Sequence, residues 1–463
     1  MLCHKKILLI IVFFIVLPVI SVCRAASLTI VNDRLCVAAE NTPLQDLLKQ
    51  AAMAGIKIRI DPEINPLISK EFSNKEIQDG FDEILAGLNH SYIWTKALYG
   101  EPKLSEVIVF RPGKTESART LRTSKNLDIV QDPKTGAYYV QNRILLTFNR
   151  QVSTSKVNKL IEDLSARITL VNAHLGIYAL ISQDNADLNE VLARLKQEGI
   201  AGTAEPDYAY RADSTPRVAG VSESAGTQTQ SDTPPVPSSF AVAVLDTGLM
   251  ETYRSQGYIQ GSFDALNPES SISDNVGHGT QMALIASGQV SPMGAEPDEF
   301  SNPVLSVRAF DDNGFTSTST LMSSIEYALA NGAKVLSLSW GSETDSAFLE
   351  KAVNYAASKG LVVVAAAGNS PTGDPVYPAA YESVIAVSAL GPDGKAWEMS
   401  NYGDFVDLAA PGFASLPVGS KGDPGTYAGT SISTAYLAGK IADYLRKHPG
   451  TKTINAAELM NLD

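Results

Sequence analysis

Four side chains spread along this 463-residue chain have the chemistry of a nucleophile, its base, an acid that orients the base, and an anion donor. Ser431, in Tyr427-Ala428-Gly429-Thr430-Ser431, opens a run in which Leu437, Ala438, Ile441, Tyr444 and Leu445 recur at helical spacing. Arg446-Lys447 lie in its last turn and Pro449-Gly450 end it. A hydroxyl at the mouth of a buried helix lies where free N–H groups and the helix dipole favour negative charge. That suits an oxygen that attacks and an oxyanion that must then be held. Gly-x-Ser before a helix is most often a plain N-cap, so the other groups decide the reading. His278, in Gly277-His278-Gly279-Thr280 ahead of the apolar run Met282–Ala286, is the candidate base. A helix N-terminus disfavours imidazolium, so it needs a carboxylate to orient and stabilise it. Asp246, at the end of the apolar run Ala241–Leu245 and before Thr247-Gly248, supplies one. Asn369, directly after Leu361–Ala367, carries an amide able to donate to developing negative charge.

Other chemistries use parts of this set. Asp-Thr-Gly at 246–248 suits an aspartic dyad, but that needs a second copy or a dimer and an all-β body, and the sequence holds no second copy. A metal at His278 lacks a second histidine at ligand spacing and a cysteine. The elements that must position these groups alternate from Phe240 onward: strand Ala241–Leu245, helix Leu321–Asn331, strand Val335–Ser339, a helix bearing Leu349, Val353, Ala356 and Ala357, then strand Leu361–Ala367. Unbroken apolar strands separated by helices predict a parallel sheet covered on both faces. Sites in such sheets lie beyond the carboxyl ends of the strands, where Asp246 and Asn369 stand.

Asp246, His278, Asn369 and Ser431 in that order, with Asp-Thr-Gly, Gly-His-Gly-Thr and Gly-Thr-Ser, resemble the subtilisin-like serine proteases over about residues 238–448. The resemblance implies an α/β fold: a catalytic domain over 239–463 with a mainly parallel sheet flanked by helices, preceded by two small α+β domains. It implies that Ser431 attacks the scissile carbonyl and that His278 takes its proton and passes it to the leaving amine. Asp246 would hold the imidazole, and Asn369 with the Ser431 N–H would bind the oxyanion. Ser339-Trp340-Gly341 matches the segment lining the first specificity pocket, and Gly314-Phe315-Thr316 the opposite edge, so a substrate is gripped as an added strand. No cofactor is required for the chemistry, and no metal ligand is assigned; structural calcium, common in the family, falls on no particular carboxylate. The chain departs from the family after Gly-Thr-Ser, with Ile432, Ser433, Thr434 and Ala435 where relatives usually show Met-Ala and then a proline.

The remainder reads as accessory. Residues 1–26 have the positive start, apolar core and small-residue end of a signal peptide, with an uncleaved anchor as the alternative. Two of the three cysteines fall there, leaving Cys36. Residues 27–110 predict a small α/β domain. Its Val37–Leu44 run and Gly55-Ile56 turn resemble the short N-terminal domain of secretins and TonB-dependent receptors, which implies an envelope protein partner and no chemistry. Residues 111–142 form a polar connector. Residues 143–212 predict a βαββαβ unit that, with Glu205-Pro206-Asp207-Tyr208, resembles the inhibitory propeptide of subtilisin-like proteases. Residues 213–238, rich in Ser, Thr, Gly and Pro, read as a flexible linker.

A net charge of −13 argues against nucleic acid as a partner. No later segment predicts a stable membrane span once the signal is removed. The expectation is an exported serine endopeptidase, periplasmic or secreted, acting on protein or peptide substrates. It would be made as a zymogen that cleaves itself between about Tyr208 and Ser239. The alternative is a protease fold without turnover that serves as a binding module of an envelope assembly.

Overall fold

The computed structural model describes residues 27–31, 33–53, 56–95, 103–121, 126–182, 187–212, 215–218, 240–268, 270–295, 300–419 and 423–451. The signal-like stretch 1–26 and most of the linker-like stretch 213–238 lie outside the described residues. The chain divides into two compact units, Met1–Thr123 and Ser124–Asp463.

The first unit contains β1 (Ser27–Val31), β2 (Arg34–Pro43), α1 (Leu44–Met53), β3 (Lys57–Ile60), β4 (Leu67–Glu76), α2 (Ile77–Ile84), β5 (Asn89–Thr95), β6 (Lys103–Phe110) and β7 (Arg119–Thr120). These make a sheet of order β1-β2-β4 and a second of order β5-β6-β3-β7, in which β3 and β6 run parallel. Leu44, Leu47, Leu48, Phe81 and Ile84 from the two helices bury against them. The unit passes the expected limit at residue 110. β7 covers the edge of β3, with Thr120 opposite Arg59, and Leu121 is buried, so stopping at Phe110 would expose an unpaired edge and an apolar side chain.

The second unit opens with β8 (Ile129–Gln131), β9 (Tyr138–Phe148), α3 (Thr154–Asp163), β10 (Arg167–Asn172), β11 (Ile177–Ile181), α4 (Leu188–Gln197) and β12 (Ala201–Arg211). It continues with β13 (Ala241–Asp246), β14 (Ile259–Asp264), α5 (His278–Ala286), β15 (Val304–Arg308), β16 (Phe315–Ser317), α6 (Thr318–Ala330), β17 (Ala333–Leu338) and α7 (Ala347–Ser358). Then come β18 (Val362–Ala366), β19 (Val384–Leu390), β20 (Leu408–Pro411), β21 (Phe413–Leu416), β22 (Gly425–Ala428) and α8 (Thr430–Lys447). Seven strands form a parallel sheet of order β14-β15-β13-β17-β18-β19-β20.

Alternation along each strand divides the core between the two faces of this sheet. Val242 and Val244 of β13 and Val335 of β17 pack with α5 and α8. Ala243, Leu245, Leu336 and Leu338 point the other way, toward α6 and α7. Beyond α6 lies an antiparallel sheet of order β10-β11-β9-β12-β16, with β8 on β9. The expected 143–212 unit is thus not separate. Its last strand pairs with β16, and its Leu145, Ile177, Ala179 and Tyr210 enter the core beside α6 and α7. It also begins earlier, because β9 starts at Tyr138.

Candidate active site

Asp246 ends β13 and His278 begins α5; both are buried. The imidazole Nδ1–H donates to Asp246 Oδ1 at 2.7 Å, and the same oxygen accepts from Thr247 N at 2.7 Å. The carboxylate can only accept, so this contact fixes the proton on Nδ1 and directs Nε2 to the far side of the ring. Close backbone approach brings the two elements together. A Cβ on Gly279 would lie 2.6 Å from Gly248 N, so only glycine lets α5 start against the β13 turn. Gly277, ahead of the histidine, has φ +94°, a conformation that suits glycine.

A buried carboxylate missed at the sequence level ties this corner together. Asp274 Oδ1 accepts from Thr247 Oγ1 at 2.9 Å, Val276 N at 3.2 Å and Gly277 N at 2.7 Å. Its Oδ2 accepts from Thr280 N at 2.9 Å and Thr280 Oγ1 at 2.7 Å. Thr247 Oγ1 accepts in turn from Gly279 N at 2.8 Å, so Asp274 binds the turn after β13 to the first turn of α5. An acidic residue just ahead of a helix start was the available signal.

Ser431 lies in the first turn of α8, buried, with its Oγ donating to the Ser339 carbonyl at 3.2 Å and the Ser339 hydroxyl donating back to the Ser431 carbonyl at 3.3 Å. This reciprocal pair fixes the serine to the end of β17. The unusual residues after it are satisfied within reach: Ser433 Oγ donates to the Ala410 carbonyl at 2.9 Å, Thr434 Oγ1 to the Thr430 carbonyl at 2.8 Å, and Ile432 is buried.

Asn369 follows β18. Its Oδ1 accepts from Thr430 N at 2.9 Å and Thr430 Oγ1 at 3.0 Å, beside the serine. This orients the amide, and among the described residues its buried Nδ2 has no hydrogen-bond partner. A buried donor at the serine turn without a partner among the described residues is an uncommon arrangement, and an oxyanion would satisfy it.

The chain's own backbone passes this corner. Ala209, Tyr210 and Arg211 pair antiparallel with Ser317, Thr316 and Phe315, and Ala212 N donates to the Gly314 carbonyl at 2.8 Å. After two residues outside the description, Thr215 is buried. Its Cγ2 is 2.9 Å from where a Cβ on Gly429 would stand, and its hydroxyl is 3.4 Å from Gln281 Oε1. Pro216 accepts from Ala428 N at 3.1 Å, and Val218 N donates to Thr426 O at 2.9 Å. So residues 209–212 extend one edge and 216–218 another, on either side of the turn that carries Ser431.

Of the other expected substrate-binding residues, Trp340 meets the segment 209–212 that runs past the serine turn, through Tyr210. Its indole is buried between Tyr210 and Phe310, with ring centroids 5.4 and 5.8 Å away. Gly341, Gly368 and Val376 line one pocket, with Val376 against both glycines. Glu205 and Asp207 act at helix starts. Glu205 accepts from Ser346 Oγ and from Phe348 N at 3.1 Å; Asp207 accepts from Ser319 N at 3.0 Å and lies beside Arg143. Burial pushes both carboxyls above their ordinary pKa, against these contacts, which favour the ionised form. Among the described residues no group of three or more His, Cys, Asp or Glu is placed to hold a metal ion, and no helix is long and apolar enough to cross a membrane.

Residues 238–461 match the model of the Subtilase family. The chain is 31% identical over 337 residues to a thermophilic serine proteinase of Bacillus sp. (strain AK1), covering 68% of this chain and 82% of the relative. It is 36% identical over 206 residues to thermitase of Thermoactinomyces vulgaris, covering 43% and 72% respectively. Fervidolysin from Fervidobacterium pennivorans, a keratinolytic enzyme related to subtilisin, shares the fold at a TM-score of 0.55 and 22% identity, over 72% of this chain and 58% of that one. Coverage of most of a relative at this identity, together with the family match around all four residues, leads to one assignment: the chain belongs to the subtilase family and is a serine-type endopeptidase.

Proposed function

We propose that the chain hydrolyses peptide bonds through Ser431, His278 and Asp246, and that it is made as a zymogen whose own segment fills the cleft until cut. Ser431 Oγ attacks the carbonyl while His278 accepts its proton and then delivers it to the leaving amine. Asp246 holds the Nδ1–H tautomer and stabilises the imidazolium. Asn369 Nδ2 and the Ser431 N–H, in the first turn of α8 where backbone donors lack intrahelical acceptors, take the oxyanion. No metal or cofactor enters these steps, and calcium, if bound, is structural.

The observation that carries this reading is the run of the chain past Ser431, with 209–212 added to β16 and 216–218 added to β22. A substrate held as an added strand on both sides of the nucleophile has its scissile carbonyl in between. The bond cut is therefore one of those between Ala212 and Thr215, narrower than the window read from the sequence. The arm before it, with Glu205 and Asp207 seated on α7 and α6, acts as a tethered inhibitor. Intact mass over time tests this for the protein without residues 1–26, beside Ser431→Ala. The wild type should split between Ala212 and Thr215 and the variant stay whole. A cut within residues 143–205, or equal splitting of both, would contradict it.

Export follows from the signal-like residues 1–26, and residues 27–121 are read as a docking module for an envelope protein, which favours the periplasm. Capture of a defined envelope protein by residues 27–121, and its loss when they are deleted from the full chain, would test that assignment. A serine-directed phosphonate separates the enzyme from a protease fold without turnover, because only a competent Ser431–His278 pair labels quickly.

A further inference from the structure

The slot beside the nucleophile is shorter than its glycine walls would allow. Gly341 directly follows the Ser339-Trp340 segment that holds Ser431, and Gly368 directly precedes Asn369. Two glycines lining one pocket beside a nucleophile and its anion donor leave room for the side chain of the residue whose carbonyl is attacked. Here that room is entered from behind by Val376. A Cβ built on Gly341 would collide with Val376 Cγ1, and one built on Gly368 would lie 3.8 Å from Val376 Cγ2. Both methyl groups therefore stand between the two walls.

Val376 is held firmly. The next residue, Tyr377, exchanges hydrogen bonds with Ser342, at 2.9 Å to its carbonyl and 2.8 Å from its N–H, and the Val376 carbonyl accepts from Ala380 N at 2.8 Å. A β-branched side chain on a backbone fixed on both sides is restricted at χ1. Trp340, the large neighbour, is committed to Tyr210 and Phe310 and leaves this slot to the valine.

We propose that Val376 is the floor of the pocket for the residue preceding the cut bond, and that the enzyme cleaves after small side chains of the size of alanine and serine. The sequence at the proposed self-cleavage point agrees with this. The residue before a cut in that window is Ala212, Asp213 or Ser214, none of them large, although Tyr208 and Tyr210 lie just upstream. The inference rests on the endopeptidase reading and names the substrate class of that same site.

The test uses the full chain after self-processing and two peptides that differ only before the scissile bond, alanine in one and phenylalanine in the other. They are mixed, so that the ratio of kcat/KM does not depend on the fraction of active enzyme. The wild type should favour alanine at least about ten-fold, because filled pockets discriminate by about 10- to 200-fold per carbon group. Val376→Gly should raise the phenylalanine-to-alanine ratio by at least about ten-fold, with Val376→Ala between. Wild-type preference for phenylalanine, or a ratio unmoved in both variants, overturns the assignment of Val376. Failure of the wild type to cut either peptide, while thermitase cuts both, overturns the endopeptidase reading and the inference with it.

Discussion

Asp274→Asn isolates the part of the site that joins β13 to α5. The carboxylate accepts five hydrogen bonds, three on Oδ1 and two on Oδ2. An amide keeps one oxygen, so its NH₂ must face donors whichever way it turns. Facing Thr280 is the milder choice, because that hydroxyl already accepts from Met250 N at 3.0 Å and can rotate. The Thr280 N–H cannot, and a stranded buried donor costs about 1–3 kcal/mol, with further loss as the remaining bonds cease to be charge-assisted. A total of about 3 kcal/mol is expected. For the unit Ser124–Asp463, unfolding entropy scaled by length converts that to a fall in Tm of about 4 °C. Melting should be measured on a Ser431→Ala background, where self-digestion does not distort the transition. On the active background kcat should fall about ten-fold or more with KM little changed, because a looser α5 misplaces His278 and not the substrate edges. A Tm within about 1 °C of the parent together with an unchanged kcat would refute the reasoning, since five buried contacts could not then be holding this corner.

Asn369→Ala should lower kcat by about 10²–10³ while leaving KM nearly unchanged, a magnitude that itself comes from a subtilisin; initial rates over a range of peptide concentrations check it. Glu205→Ala strands Ser346 Oγ and Phe348 N at the start of α7, at about 1.5–3 kcal/mol, so activity after self-cleavage should appear about ten- to hundred-fold faster. Burial raises the carboxyl pKa of Glu205 and Asp207 in the assembled unit, so their contribution to holding the arm is complete below the ordinary carboxylate pKa and is lost as pH rises through the raised values. Dissociation of the cleaved arm, followed by gel filtration, should accordingly quicken as pH rises from the ordinary carboxylate range of about 4 through the raised values. Arg308→Met leaves Asp264 buried without its guanidinium, 3.0 Å away in the parent, and should destabilise by about 3–5 kcal/mol in calorimetry. Adding Asp264→Asn should restore most of this, since the amide oxygen still accepts from Leu266 and Asn267.

What could be read from the sequence was what local pattern controls. Asp246 and Asn369 were legible because each ends an unbroken apolar strand, and Ser431 because the helix behind it buries one periodic face. The same patterns delimited β17, α7 and β18 to within a few residues. What escaped was non-local. The limit at residue 110 was set too early because β7 is two residues long and has no pattern of its own; only its pairing with β3 gives it a place. The 143–212 segment looked self-contained because its six elements complete a familiar order, and nothing in that order announces that β12 continues onto β16. Trp340 is marked by the Ser339-Trp340-Gly341 segment, but the seat of its ring between Phe310 and Tyr210 is set by packing across elements. Val376 carries no motif, and its effect exists only where Gly341 and Gly368 meet it.

The two edges that grip the chain and the pocket between them are consequences of one structural choice. Ser431 is fixed through Ser339, so the nucleophile cannot move without moving the strand end that also carries Trp340 and Gly341. Trp340 in turn packs on Tyr210, a residue of the arm proposed to leave. While the arm is seated, then, it completes the core that steadies the serine, as well as covering it. Loss of the arm exposes Trp340 on the Tyr210 side but leaves the Ser339–Ser431 pair, the Asp246–His278 contact and the Asn369–Thr430 contact untouched, since none of their atoms belongs to the arm. The arm can therefore support formation of the site without being needed for its geometry. On the proposed zymogen reading, that division of labour would let one segment serve folding first and inhibition afterwards.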